Sequence, residues 1–119
     1  MNGAETRLWN AMGFAMKAGK MAAGEFAAEK ALKSGAAKLV IVDTEASENT
    51  KKQWRDACAF RGVPLIEAAS AGRAIGKPNR MTAACTDGNF SKMILRAYEE
   101  YVSAYEEGRA EGQNNGGDE

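Results

Sequence analysis

The sequence predicts an α/β fold, a single domain built as a three-layer α/β/α sandwich with a small mixed sheet. Short apolar runs, one of them rich in β-branched residues, alternate with segments whose apolar residues recur at helical spacing. That order stacks helices on both faces of a sheet. With 119 residues the chain can bury one modest core and no more.

Each element follows from local pattern. The first helix is expected over residues 5–18, where Leu8, Met12, Ala15 and Met16 form an apolar stripe that Gly19 ends. Residues 21–23 leave room for a brief strand only. A second helix spans residues 24–34, with Ala28, Ala31 and Leu32 on its core side and Gly35 just behind it. Residues 38–43 contain the run LVIV and read as a strand covered on both faces. Ser47 is the expected N-cap of a third helix whose core side is Trp54, Ala57 and Cys58; Gly62 and then Pro64 stop it. A second inner strand follows over residues 64–67, a short helix or turn over 68–75, a loop at 76–80 and the last strand over 81–86. Asp87, Gly88 and Asn89 open a final helix that carries Phe90, Ile94, Ala97 and Tyr101 at helical spacing. Beyond Glu106 the composition turns to Gly, Glu, Asn and Gln. Residues 1–105 are therefore the expected domain, and residues 106–119 an acidic tail expected to be disordered.

The formal net charge of zero conceals a split. Residues 99–119 hold seven acids and one base, whereas residues 1–98 hold fifteen bases and nine acids, a body of net +6. A basic body fits an electrostatic partner, although ordinary solubility charge reaches the same value. With no histidine, the chain cannot build Ser–His–Asp or Cys–His catalysis or an imidazole metal site. Cys58 and Cys85 lie in apolar patterns and read as small buried hydrophobes of a reduced, cytoplasmic protein. No basic segment precedes an apolar run at the N-terminus, and no apolar stretch approaches ~18 residues, so neither a signal peptide nor a membrane span is expected.

The second helix has a chemically pointed face. Phe26, Lys30 and Lys33 cluster opposite the core stripe, at i, i+4, i+7. The backbone N–H groups of Gly24, Glu25 and Phe26 open at the helix start, where partial positive charge and free donors suit a phosphate. A solvated lysine face with a phenylalanine under a neighbouring loop fits the same pattern.

Six words of sequence, taken in order, narrow the choice: GFAMKAGK (residues 13–20), GEFAAEKALKSGAAKLVIV (24–42), EASENTKK (45–52), GVPLI (62–66), GRAIGK (72–77) and TDGNFSK (86–92). In this order the chain resembles the kink-turn RNA-binding ribosomal-protein superfamily, the large-subunit seven-Ae and thirty-e type, and within it a small bacterial ribosome-associated branch. The resemblance implies two RNA-contact elements. One is the start of the second helix, with Gly24, Glu25, Phe26, Ala27 and Lys30; Lys33 adds charge on the same face. The other is the loop before the last strand, with Lys77, Pro78, Asn79 and Arg80. A kink-turn presents sheared G·A pairs on a sharply bent backbone, so shape and phosphate placement dominate its recognition. By the same resemblance Lys30 reads a guanine edge, whose O6 and N7 are both acceptors, and Pro78 packs on a flipped-out base.

The chain departs from the family pattern at one place. Strong kink-turn binders carry Asn-Glu where this sequence has Phe26-Ala27, and neither of these side chains can hydrogen-bond a sheared pair. Phe26 offers a stacking face instead. The expected function is thus non-catalytic recognition of structured RNA, ribosomal RNA or the ribosome included, with no cofactor, metal, membrane or small-molecule substrate. Two rivals stand beside it. One is a protein-interaction module of the same fold that has lost kink-turn binding, suggested by Phe26-Ala27 and by Tyr98, Tyr101 and Tyr105. The other is an enzymatic phospho-acceptor at Asp43, which ends a buried strand where doubly wound sheets place their chemistry; against it, only Glu45 is near in sequence to help hold a metal.

Overall fold

The structure, a computed structural model, describes residues 3–117, with side chains described as far as Glu106. Its elements are α1 (Gly3–Lys17), β1 (Met21–Ala23), α2 (Glu25–Lys33), β2 (Leu39–Asp43), α3 (Glu48–Arg61), β3 (Leu65–Ala68), α4 (Ala71–Ala74), β4 (Thr82–Cys85) and α5 (Gly88–Gly117). The four strands form one sheet in the order β1-β4-β2-β3. Only β2 and β3 run parallel; β4 is antiparallel to both β1 and β2, so the sheet is mixed as expected.

Alternation along β2 divides the core in two. Leu39 and Ile41 point into a cluster with Leu8, Met12, Ala71 and Ile94, and so with α1, α4 and α5. Val40 and Val42 point the other way, into a cluster with Ala28, Leu32, Trp54 and Cys58 of α2 and α3. Every residue of β2 is buried, which is why its sequence shows an unbroken apolar run rather than alternation. The two cysteines are free and lie in opposite layers, Cys58 beneath α3 and Cys85 beneath α1 and α5.

The helix boundaries have local causes. Ser47 caps α3 by accepting the Thr50 N–H, and Gly62 closes it in the left-handed conformation. Asp87 accepts the Phe90 N–H at 2.9 Å and starts α5. The backbone of α5 remains helical past residue 106, to Gly117; within it, Ala, Glu and Arg at residues 104–111 favour helix. Asp118 and Glu119, the end of the expected tail, lie outside the described residues. Among the described residues, no helix is long and apolar enough to cross a membrane.

Sheet topology sets the working end of the molecule. Because β4 runs antiparallel to β1 and β2, the start of β4 meets the end of β1 at Ala83–Ala23 and the end of β2 at Thr82–Val42. The start of α2, the loop before β4 and the loop after β2 therefore converge at one edge of the sandwich.

Candidate nucleic-acid interface

Gly24 is the hinge of this end. Its φ of 98° is a conformation that side-chain-bearing residues rarely adopt, and its N–H donates to the Thr82 carbonyl at 2.7 Å. Chain direction thus turns from β1 into α2 while β4 pins the turn. The first helical bond of α2 runs from the Ala28 N–H to the Gly24 carbonyl, and no side chain caps the helix. The amides of Glu25, Phe26 and Ala27 are left without helical acceptors, donors at the positive end of a dipole.

The second element is folded against α4. The Lys77 N–H donates to the Gly72 carbonyl at 2.7 Å, and the Arg80 N–H to the Lys77 carbonyl at 2.9 Å. A β-carbon at Gly72 would collide with the carbonyl oxygens of Lys77 and Arg80, so the loop can lie this close only over glycine. From there the Arg80 side chain crosses to Gly24 and shields it from solvent.

The two expected elements are thus joined by contact. Gly24, Glu25 and Phe26 share a groove of about 460 Å³ with Asn79 and Arg80. Phe26 is 85% exposed, so its ring is a surface feature and takes no part in the core. Lys30, Lys77 and Pro78 are exposed outside the groove, Ala27 is half-buried, and neither lysine has a carboxylate partner among the described residues. Lys33 is placed differently. It is tied to Glu29 at 2.7 Å and faces the cleft toward Trp54 and Arg61 of α3, so much of its charge is offset locally.

The groove also contains residues that the sequence did not mark as contacts: Glu45, Ala46 and Ser47 from the β2–α3 turn, and Thr50 from the first turn of α3. Asp43 holds this turn in place. Its carboxylate accepts the Glu45 N–H at 2.8 Å and the Ala71 N–H at 3.0 Å, so both oxygens of the buried side chain are engaged by backbone. That geometry makes Asp43 a fastener between the β2–α3 turn and α4. Among the described residues, no group of three or more acidic or cysteine side chains is placed to hold a metal ion, and the phospho-acceptor reading loses its support. The groove therefore offers free amide donors, a guanidinium, an aromatic face and two carboxylate acceptors, Glu25 and Glu45.

Comparison with known proteins identifies the family. The profile of the ribosomal protein L7Ae/L30e/S12e/Gadd45 family matches residues 6–95, which span every strand and both groove-forming loops. The chain belongs to that family. It is 36% identical over 87 residues to the RNA-binding protein YlxQ of Bacillus subtilis (strain 168), covering 71% of this chain and 87% of that protein. It is 37% identical over 93 residues to the RNA-binding protein YlxQ of Enterococcus faecium, covering 76% and 89%. Among solved structures, a protein of unknown function from Bacillus halodurans C superposes with a TM-score of 0.73 at 29% identity, over 78% of this chain and 97% of that one. The Giardia lamblia 15.5kD RNA binding protein superposes with a TM-score of 0.66 over 87% and 91%; at 19% identity this likeness concerns the L7Ae-type fold alone.

Proposed function

We propose that this protein is a non-catalytic RNA-binding protein of the cytoplasm that recognises structured RNA, a kink-turn or a related bent helix, in association with the ribosome. The observation that carries the reading is the groove itself. The uncapped start of α2 and the loop before β4 are separated by about fifty residues of sequence and are brought into contact through Arg80 and Gly24. Free amides and Arg80 suit phosphate oxygens. Phe26 suits an unstacked base, which a sharply bent RNA supplies and a regular duplex does not. The names of the YlxQ relatives support RNA as the ligand class, and the ribosomal members of the family support the ribosome as its setting.

The rival reading, a protein-interaction module that has lost its RNA, rested partly on three tyrosines of α5. Tyr98 and Tyr101 pack against the core, and only Tyr105 of the three is largely exposed. Filter binding with a kink-turn RNA at about 50 and 200 mM salt tests the proposal. RNA binding should weaken steeply over that range, because phosphate contacts release counterions. No binding at the lower salt would return the protein-interaction reading to the front.

A further inference from the structure

Two segments of the chain contain no acidic residue at all. Between Glu5 and Glu25 the charged residues are Arg7, Lys17 and Lys20; between Glu67 and Asp87 they are Arg73, Lys77 and Arg80. The fold places these segments side by side. Strand β1 pairs with β4 from Met21–Cys85 to Ala23–Ala83, forming the edge of the sheet. Helix α1 packs on α4 so closely that a β-carbon at Gly13 would come within 3.3 Å of the Ala74 carbonyl oxygen. Lys17 lies one helical turn beyond Gly13, and Arg73 is next to Ala74.

Arg7 belongs to a different place, where it is paired with Glu100 at 3.0 Å. The other five bases are exposed, and among the described residues none has a carboxylate within ion-pair distance. On α2 and α3, by contrast, several bases are paired, such as Lys33–Glu29 and Lys52–Asp56. Arg80 lines the groove and Lys77 lies in the same loop, Arg73 is on α4 where α1 packs, Lys17 ends α1, and Lys20 immediately precedes β1. Strand β1 leads into Gly24, so Lys20 lies at the far end of that edge from the groove.

We infer that this single-sign strip is a second contact surface, which holds the phosphodiester backbone of a duplex RNA arm leaving the groove. The inference rests on the RNA-binding reading above and extends it from the bend to the flanking stem. The strip has the chemistry for backbone contact: several exposed cations and no acidic residue in either segment. Such a surface positions a duplex without reading its sequence. It therefore sets how much RNA beyond the bend contributes to affinity.

The test uses the full chain and two synthetic kink-turn RNAs that differ only in arm length, one with minimal stems and one extended by about a helical turn on each side. Wild type should bind the long-arm RNA more tightly and with a steeper salt dependence. In Lys17→Ala/Arg73→Ala, affinity for the short-arm RNA should be unchanged. The salt slope on the long-arm RNA should become shallower by about two units, close to one for each phosphate no longer neutralised. Equal affinity of wild type for both RNAs, or an equal loss on both RNAs in the variant, would overturn the strip and leave the groove reading standing. Failure of wild type to bind even the short-arm RNA would sink the functional reading and the strip with it. An intact unfolding transition in the variant excludes misfolding as the cause of any loss, since both substituted side chains are exposed.

Discussion

The Arg80 side chain lies across the backbone of Gly24: a β-carbon at residue 24 would sit 3.3 Å from Arg80 Cδ and 3.4 Å from its Nε. One contact therefore couples the two elements proposed to grip RNA. Gly24→Ala should do two things at once. It forces a side chain into φ 98°, a strain on the order of 1–3 kcal/mol, and it crowds Arg80 away from the groove. Arg80→Ala should lower RNA affinity with little effect on stability, because the side chain is exposed. Binding measurements on both single variants and the double variant should give losses that do not add, with a coupling of about 0.5–3 kcal/mol. Additive losses would mean that the two residues act independently.

Asp43 should prove structural. Asp43→Ala leaves two backbone N–H groups without their acceptor, at about 1.5–3 kcal/mol for each bond to a charged group. Urea unfolding should show a loss of several kcal/mol. A variant as stable as wild type would remove the fastening role assigned to this carboxylate.

Lys30 and Lys33 are neighbours on α2 with different electrostatic surroundings. Lys33 is ion-paired with Glu29, and Lys30 has no such partner among the described residues. Lys30→Ala should weaken binding to a bent RNA more than to a plain duplex, whereas Lys33→Ala should weaken both about equally and by less. Identical profiles for the two variants on both RNAs would remove the base-reading role assigned to Lys30.

Burial pushes the Cys58 thiol above its ordinary range. In the unfolded chain the thiol ionises near pH ~8.5, while in the folded protein it stays protonated to higher pH. Ionisation thus favours the unfolded state, and the Cys58 contribution is lost as pH rises from that value. Between about pH 7 and pH 10, stability should fall more in wild type than in Cys58→Ala, measured by urea midpoints. Parallel declines would contradict this assignment.

Local pattern and long-range geometry were not equally legible in the sequence. The faces of α2 were readable, because burial of Ala28, Ala31 and Leu32 and exposure of Phe26 follow directly from a 100° period. The strand at residues 39–43 was readable from its composition, an apolar β-branched run that suits a strand buried on both faces. The role of Asp43 was not, since its second partner, Ala71, lies 28 residues away. Nor was the share of Glu45 and Thr50 in the groove, which depends on β4 lying between β1 and β2 in the sheet. Periodicity encodes which face of an element is buried but not which element comes to lie beside it. The Lys33–Glu29 pair has the spacing for an ion pair, but only the rotamers decide whether such a pair forms.

The central claim is that Phe26 stands in for the family's hydrogen-bonding pair as a stacking surface for an unstacked base. The most direct test is equilibrium binding of wild type and Phe26→Ala to a kink-turn RNA and to an unbent duplex of equal length, with unfolding midpoints measured in parallel. Wild type should prefer the bent RNA. Phe26→Ala should lose about 5- to 150-fold on that RNA, the equivalent of ~1–3 kcal/mol of stacking. Its unfolding midpoint should stay unchanged, because the ring is 85% exposed. Equal affinity for both RNAs in wild type, or undiminished binding of the bent RNA by Phe26→Ala, would contradict the stacking role.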